Sequence, residues 1–178
     1  KKGQSRDDDK YPGYRAAMVR GDLPAALASL NAAFAADPAS ELAGAYQWKF
    51  MLLLRRNRTA DVDDYVRSLL ERYPDNDDVM SFASACVVAT SEEVRFDTKL
   101  AHEAAKRAAG FAKPGTRWAQ FAGWRLGWAQ FHVGKRAEAI ATMEATLAAV
   151  RRLKGSVDTG DLESDCAEAL KVFRAAAR

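Results

Sequence analysis

Histidine and cysteine are scarce: each occurs twice in 178 residues. Cys86 and Cys166 stand far apart and form no Cys-x-x-Cys, so no dithiol redox motif is present and no disulfide framework is expected. Both read as small apolar core residues. His102 and His132 share no ligand spacing with each other or with the cysteines, which removes zinc-type sites. His102 lies in an alanine-rich helical context and reads as a surface residue. Phosphate-cradling signatures are missing too, with neither Gly-x-Gly-x-x-Gly nor Gly-x-x-x-x-Gly-Lys-Ser/Thr. Asp61-Val62-Asp63-Asp64 and Asp75-Asn76-Asp77-Asp78 lack the glycine and distal glutamate of a calcium loop. They read as anionic helix starts, favourable to the helix dipole. Neither a cofactor nor catalysis is expected.

Long apolar runs are lacking. The longest, Phe50-Met51-Leu52-Leu53-Leu54, falls far short of the ~20 residues that span a bilayer. No apolar segment of signal-peptide type follows the basic start. Excess charge is small as well: 27 Lys+Arg against 24 Asp+Glu give +3. A nucleic-acid partner is therefore not expected, and neither is a membrane. The compartment is left open.

Proline and glycine are also few, at 5 and 11, whereas alanine occurs 36 times. That balance favours helices, and 48% hydrophobic residues are enough for a core. Residues 1–10 are polar and read as a linker-like start; residues 11–178 read as one helical domain. No sustained alternation of strand type appears. Val87-Val88 is the best β candidate, and it sits inside a helical context.

The prolines and glycines punctuate nine helical segments. The first pair covers 11–20 and 23–36, broken at Gly21-Asp22, with Asp22 as N-cap and Pro24 in a first turn. Leu23, Ala26, Leu27, Leu30, Ala33 and Phe34 build an apolar face, and Asp37-Pro38 ends the helix. The second pair covers 40–56, capped by Ser40 and with Leu42 on its apolar face, and 60–73, which buries Val62, Tyr65, Val66, Leu69 and Leu70. The third covers 77–89 and 97–111, capped by Asp97. Its small-residue face, Leu100, Ala101, Ala104, Ala105 and Ala108, permits close helix approach. The fourth covers 116–133 and 137–153, broken at Gly134-Lys135. A last helix, 161–176, presents Leu162, Cys166, Ala169, Leu170 and Phe173.

Pro38, Pro74 and Pro114 each close a helix pair, and the interval between them is similar. Leu126-Gly127, Phe131, Gly134-Lys135, Ala139-Ile140 and Met143 in the fourth pair, echoed by Gly21-Asp22, Ala26-Leu27, Leu30, Ala33 and Pro38 in the first, resemble the tetratricopeptide repeat. Gly127 and Ala139 would then let two backbones approach. The second pair departs from that pattern, with an Asn57-Arg58-Thr59 turn and Val62 where a small residue is expected. The third has an enlarged connection at 91–96. The resemblance implies an all-α, tetratricopeptide-like α-solenoid of about four helical hairpins with a C-terminal capping helix. Its function would be non-enzymatic, as a scaffold binding a protein or peptide on the concave face of the array. A second copy of the chain is admitted as a partner.

A second likeness is looser. Lys49-Phe50-x-Leu52-Leu53, Asp75-Asn76-Asp77 and Leu100-Ala101-x-x-Ala104-Ala105-x-x-Ala108 resemble the helical region that follows a thioredoxin-like domain in some bacterial proteins. That likeness implies an accessory role in dimerisation or client docking.

Aromatics concentrate in one helix. Phe121, Trp124, Trp128 and Phe131 recur three, four and three apart and form one stripe. The stripe reads either as core or as the lining of a groove. The tetratricopeptide likeness implies that partners meet the first helix of each pair. The matching residues are Tyr11, Arg15 and Met18 in the first pair and Gln47, Met51 and Arg55 in the second. In the fourth they are Trp124, Trp128, Phe131 and His132.

Overall fold

The computed structural model describes residues 10–56, 59–88 and 97–176. Among these the chain is all-helical, with no strand. The helices are α1 (Tyr14–Val19), α2 (Leu23–Ala36), α3 (Tyr46–Arg55), α4 (Thr59–Arg72), α5 (Asp77–Val88), α6 (Thr98–Phe111), α7 (Arg117–His132), α8 (Arg136–Leu153) and α9 (Leu162–Ala175). Residues 1–9 of the linker expected at 1–10, Asn57 and Arg58 of the expected Asn57-Arg58-Thr59 turn, and the connection at 91–96 lie outside the described residues. Val88 ends a helix rather than entering a strand.

The helix boundaries follow local chemistry. Asp22 caps α2 by accepting from the Ala25 N–H at 3.0 Å. Asp97 caps α6 by accepting from Lys99 and Leu100 at 2.9 and 3.2 Å. Thr116 caps α7 through the Ala119 N–H at 3.2 Å. Each cap satisfies backbone donors that a helix start leaves orphaned. Two turns share one geometry. Gly21 (φ 70°) and Gly134 (φ 79°) are left-handed. In the first, Gly21 N–H donates to Met18 and Asp22 N–H to Ala17; in the second, Gly134 donates to Phe131 and Lys135 to Gln130. Both are Schellman closures, for which glycine is favoured.

One expected helix is broken. Residues 40–56 do not form a single helix capped by Ser40. Asp37 instead caps a single turn, Pro38–Ser40, by accepting from Ala39. A widened turn, Glu41–Ala45, follows, where Ala43 (φ −71°, ψ 19°) and Gly44 (φ 98°, ψ −9°) leave helical geometry. The left-handed glycine interrupts the apolar periodicity, and Leu42 comes to lie exposed rather than on a buried face.

Contacts within the chain cluster into two compact units, residues 1–65 and 66–178, so that α4 contributes to both. In the N-terminal unit α1 packs on α2 and α2 on α3. Tyr11, Ala17, Ala26, Leu30, Phe34, Ala45 and Leu52 form its core. The Tyr11 hydroxyl donates to the Ser40 carbonyl at 2.7 Å, and the Tyr65 hydroxyl to the fully buried Glu41 at 2.8 Å.

In the C-terminal unit each helix packs on its successor from α5 to α9, and α5 and α9 both also touch α7. The five residues predicted for the buried face of α6 are all buried, as are the five predicted for α9. Gly127 faces Met143 and the Ala139 carbonyl, the close crossing anticipated for the α7–α8 pair. Gly123, four residues earlier, faces Thr146 across the same seam.

Candidate functional site

The residues singled out on the first helices fall into two groups, one in each unit. In the N-terminal unit a stacked pair bridges α1 and α3: the Tyr14 and Trp48 rings are 5.2 Å apart at 10°. Tyr11 meets the edge of Trp48 at 5.3 Å and that of Phe34 at 6.5 Å. Tyr11 is thus in the core, at 2% exposure. Met18 is half-buried against the same cluster. Arg15, Gln47 and Arg55 are exposed. Met51, one turn after Trp48, keeps 49% of its surface in solvent. Burial raises the Tyr14 hydroxyl pKa, and the nearby Arg55 charge partly opposes that shift. Tyr14, Trp48, Met51 and Arg55 therefore form one continuous patch. Tyr14 and Trp48 were not among the residues predicted from sequence. Trp48 sits next to Gln47 and is the one tryptophan outside α7. That isolation was the signal available.

In the C-terminal unit the aromatic stripe of α7 supports α9. Phe173, fully buried, stacks on Phe131 at 4.5 Å and 17°, and meets Trp128 edge-on at 4.9 Å. Phe121, Trp124, Trp128 and Phe131 are half-buried against a core made by α8 and α9. The Trp124 and Trp128 indole nitrogens are buried and have no acceptor among the described residues. His132 stacks on Trp128 at 5.8 Å and 27°; desolvation holds its pKa below the usual histidine range. This half of the predicted lining is largely the seat of the last helix, and His132 marks its exposed edge.

The other candidate groups stay apart from both patches. Cys166 is a buried free thiol, pushed up to about 12 by burial and by Asp165. His102 is half-buried, not fully on the surface, and burial is the main cause that lowers its pKa. Beside the α8–α9 loop lies a cleft of about 500 Å³, lined by Lys154, Asp158 and Glu163 among others. There the Arg151 and Lys154 side chains, 3.0 and 3.2 Å away, hold the Glu163 carboxyl below its usual range. Among the described residues no three metal-ligating side chains cluster, and no helix is long and apolar enough to cross a membrane.

No protein-family model matches the chain, and a search of curated proteins finds no match.

Proposed function

We propose that the chain is a non-enzymatic scaffold that binds a protein or peptide. The finer architecture in this reading is a tetratricopeptide-like array of helical hairpins whose first helices present the binding surface. The matched closures at Gly21-Asp22 and Gly134-Lys135 favour a repeat, as does the glycine-mediated α7–α8 crossing. The observation that carries the functional reading is the α1–α3 face. It combines a stacked Tyr14–Trp48 pair with a half-exposed Met51 and two exposed arginines. Aromatic and arginine anchors dominate binding energy at protein interfaces, and methionine adapts to varied shapes.

The test is a pull-down from the native host, followed by affinity measurement on the identified partner with Arg55→Ala and Met51→Ala. Each change is expected to weaken binding by about 1–3 kcal/mol. Both side chains are exposed, so the fold should survive, and circular dichroism checks that it does. A partner that binds both variants with unchanged affinity would place its site elsewhere and end this reading of the face.

A further inference from the structure

The α1–α3 face carries charge of one sign. Residues 10–20 contain Lys10, Arg15 and Arg20 and no aspartate or glutamate; residues 42–56 contain Lys49, Arg55 and Arg56 and again none. Lys49 is engaged elsewhere, with its Nζ 4.4 Å from the Tyr65 ring centroid and 5.8 Å from that of Phe34. Arg15 and Arg55 are exposed, and neither joins an ion pair among the described residues. Several carboxylates of this unit are committed away from the face. Asp22 and Asp37 cap backbone donors, and Glu41 is buried beneath the Tyr65 hydroxyl. In the C-terminal unit Arg67, Arg107, Arg117, Arg151 and Arg174 each reach a carboxylate of their own chain, whereas Arg125 donates to the Ser81 carbonyl and Arg136 to that of Arg174.

Among the described residues, α1 and α3 therefore supply two exposed guanidiniums and no carboxylate: Arg15 follows Tyr14 on α1, and Arg55 lies close enough to act on the Tyr14 hydroxyl. A guanidinium gains most from a carboxylate, which accepts two parallel N–H bonds. A basic segment would meet only like charge here, so the face selects as well as attracts.

We propose that the α1–α3 face docks an acidic peptide segment. An apolar side chain of that segment rests on Trp48 and Met51, and its aspartate or glutamate residues pair with Arg15 and Arg55. This rests on the scaffold reading above and supplies the chemistry of its partner.

A random-peptide phage library selected on the whole chain tests it without presupposing a sequence. Enriched peptides are then titrated against wild type, Arg15→Glu/Arg55→Glu and Met51→Ala, at low and high sodium chloride. Acidic peptides containing an apolar residue should dominate. Their dissociation constants should rise about tenfold or more in the double arginine variant, as loss of charge-assisted contacts predicts, and should rise with salt. Enriched peptides that are neutral or basic, and that weaken in Met51→Ala, would overturn the acidic assignment and leave the scaffold reading standing. Peptides indifferent to all three positions, or no enrichment, would overturn both.

Discussion

Gly127 on α7 lies directly under Met143 on α8: a β-carbon added there would come 2.8 Å from Met143 Cε and 3.6 Å from the Ala139 carbonyl. Four residues away, a β-carbon at Gly123 would overlap the Thr146 hydroxyl. These two glycines differ in what must move. Met143 Cε is the end of a flexible chain and can swing aside. Thr146 is β-branched, nearly buried, and its hydroxyl donates to the Thr142 carbonyl at 2.8 Å. Alanine in place of a helical glycine gains about 1 kcal/mol of propensity. Gly127→Ala should therefore be neutral or mildly stabilising, and Gly123→Ala destabilising by about 1–2 kcal/mol. Gly127→Leu and Ala139→Leu exceed what Met143 can yield and should each cost about 1–3 kcal/mol. Ala36→Leu, exposed at the end of α2, should cost little. Urea denaturation ranks all five, and equal effects at the two glycines would contradict this packing.

The contact between Phe173 and the α7 stripe gives a second expectation. Phe173 is fully buried and its ring touches both Trp128 and Phe131. Phe173→Ala should cost about 3–5 kcal/mol, as for other buried phenylalanines. It should also open Trp128 to solvent, shift its emission to longer wavelength and increase quenching by acrylamide. A variant that keeps Trp48 and Trp128 as its only tryptophans isolates the effect, since Trp48 belongs to the N-terminal unit and serves as an internal reference.

The twin closures at Gly21 and Gly134 predict twin penalties. Neither glycine has a neighbour within 4 Å of an added β-carbon, so alanine there meets backbone strain and no clash. A left-handed φ costs an L-residue roughly 1–2 kcal/mol, and less for asparagine. Gly21→Ala and Gly134→Ala should thus destabilise alike, with Asn in between, by thermal or urea unfolding. A negligible cost at either site would mean that its turn is not left-handed.

Much of this fold is legible in residue order because the helical faces are written in apolar residues at regular spacing. Leu100, Ala101, Ala104, Ala105 and Ala108, and Leu162, Cys166, Ala169, Leu170 and Phe173, are buried as their periodicity demands. The break at 40–45 is less legible. A lone Gly44 within an apolar periodic stretch reads as a tolerated helical glycine, and nothing local reveals that Tyr11 will hold the Ser40 carbonyl from 29 residues away. The same limit applies to the site. Spacing finds the α7 stripe, but its cover arrives from α9, more than forty residues later in the chain. Met51 and Arg55 on α3 are singled out by the tetratricopeptide likeness. The partner ring for Trp48 comes from α1, and only the folded unit shows that Tyr14 and Trp48 stack.

Cys166 offers a prediction in pH. Its side chain is fully buried, and burial, then Asp165, pushes the thiol up to about 12, against about 8.5 when unfolded. The folded state therefore holds its proton more tightly than the unfolded chain does. Below about pH 8.5 both states are protonated, and this group adds no pH dependence. Between about 8.5 and about 12 the unfolded chain ionises first, so stability is lost progressively as pH rises. Lysines and tyrosines titrate in the same range, so the comparison must be differential. The fall in unfolding free energy from pH 8 to 10 should be steeper for wild type than for Cys166→Ala, and the gap should widen with pH. The buried thiol should also resist alkylation. In a Cys86→Ala background, iodoacetamide, which reacts slowly, should label Cys166 only through the unfolded fraction, so that adding urea below the transition accelerates it in step with that fraction. Rapid labelling in native buffer, at a rate matching a free thiol, would show that the cluster of α8 and α9 residues around Cys166 does not shield it.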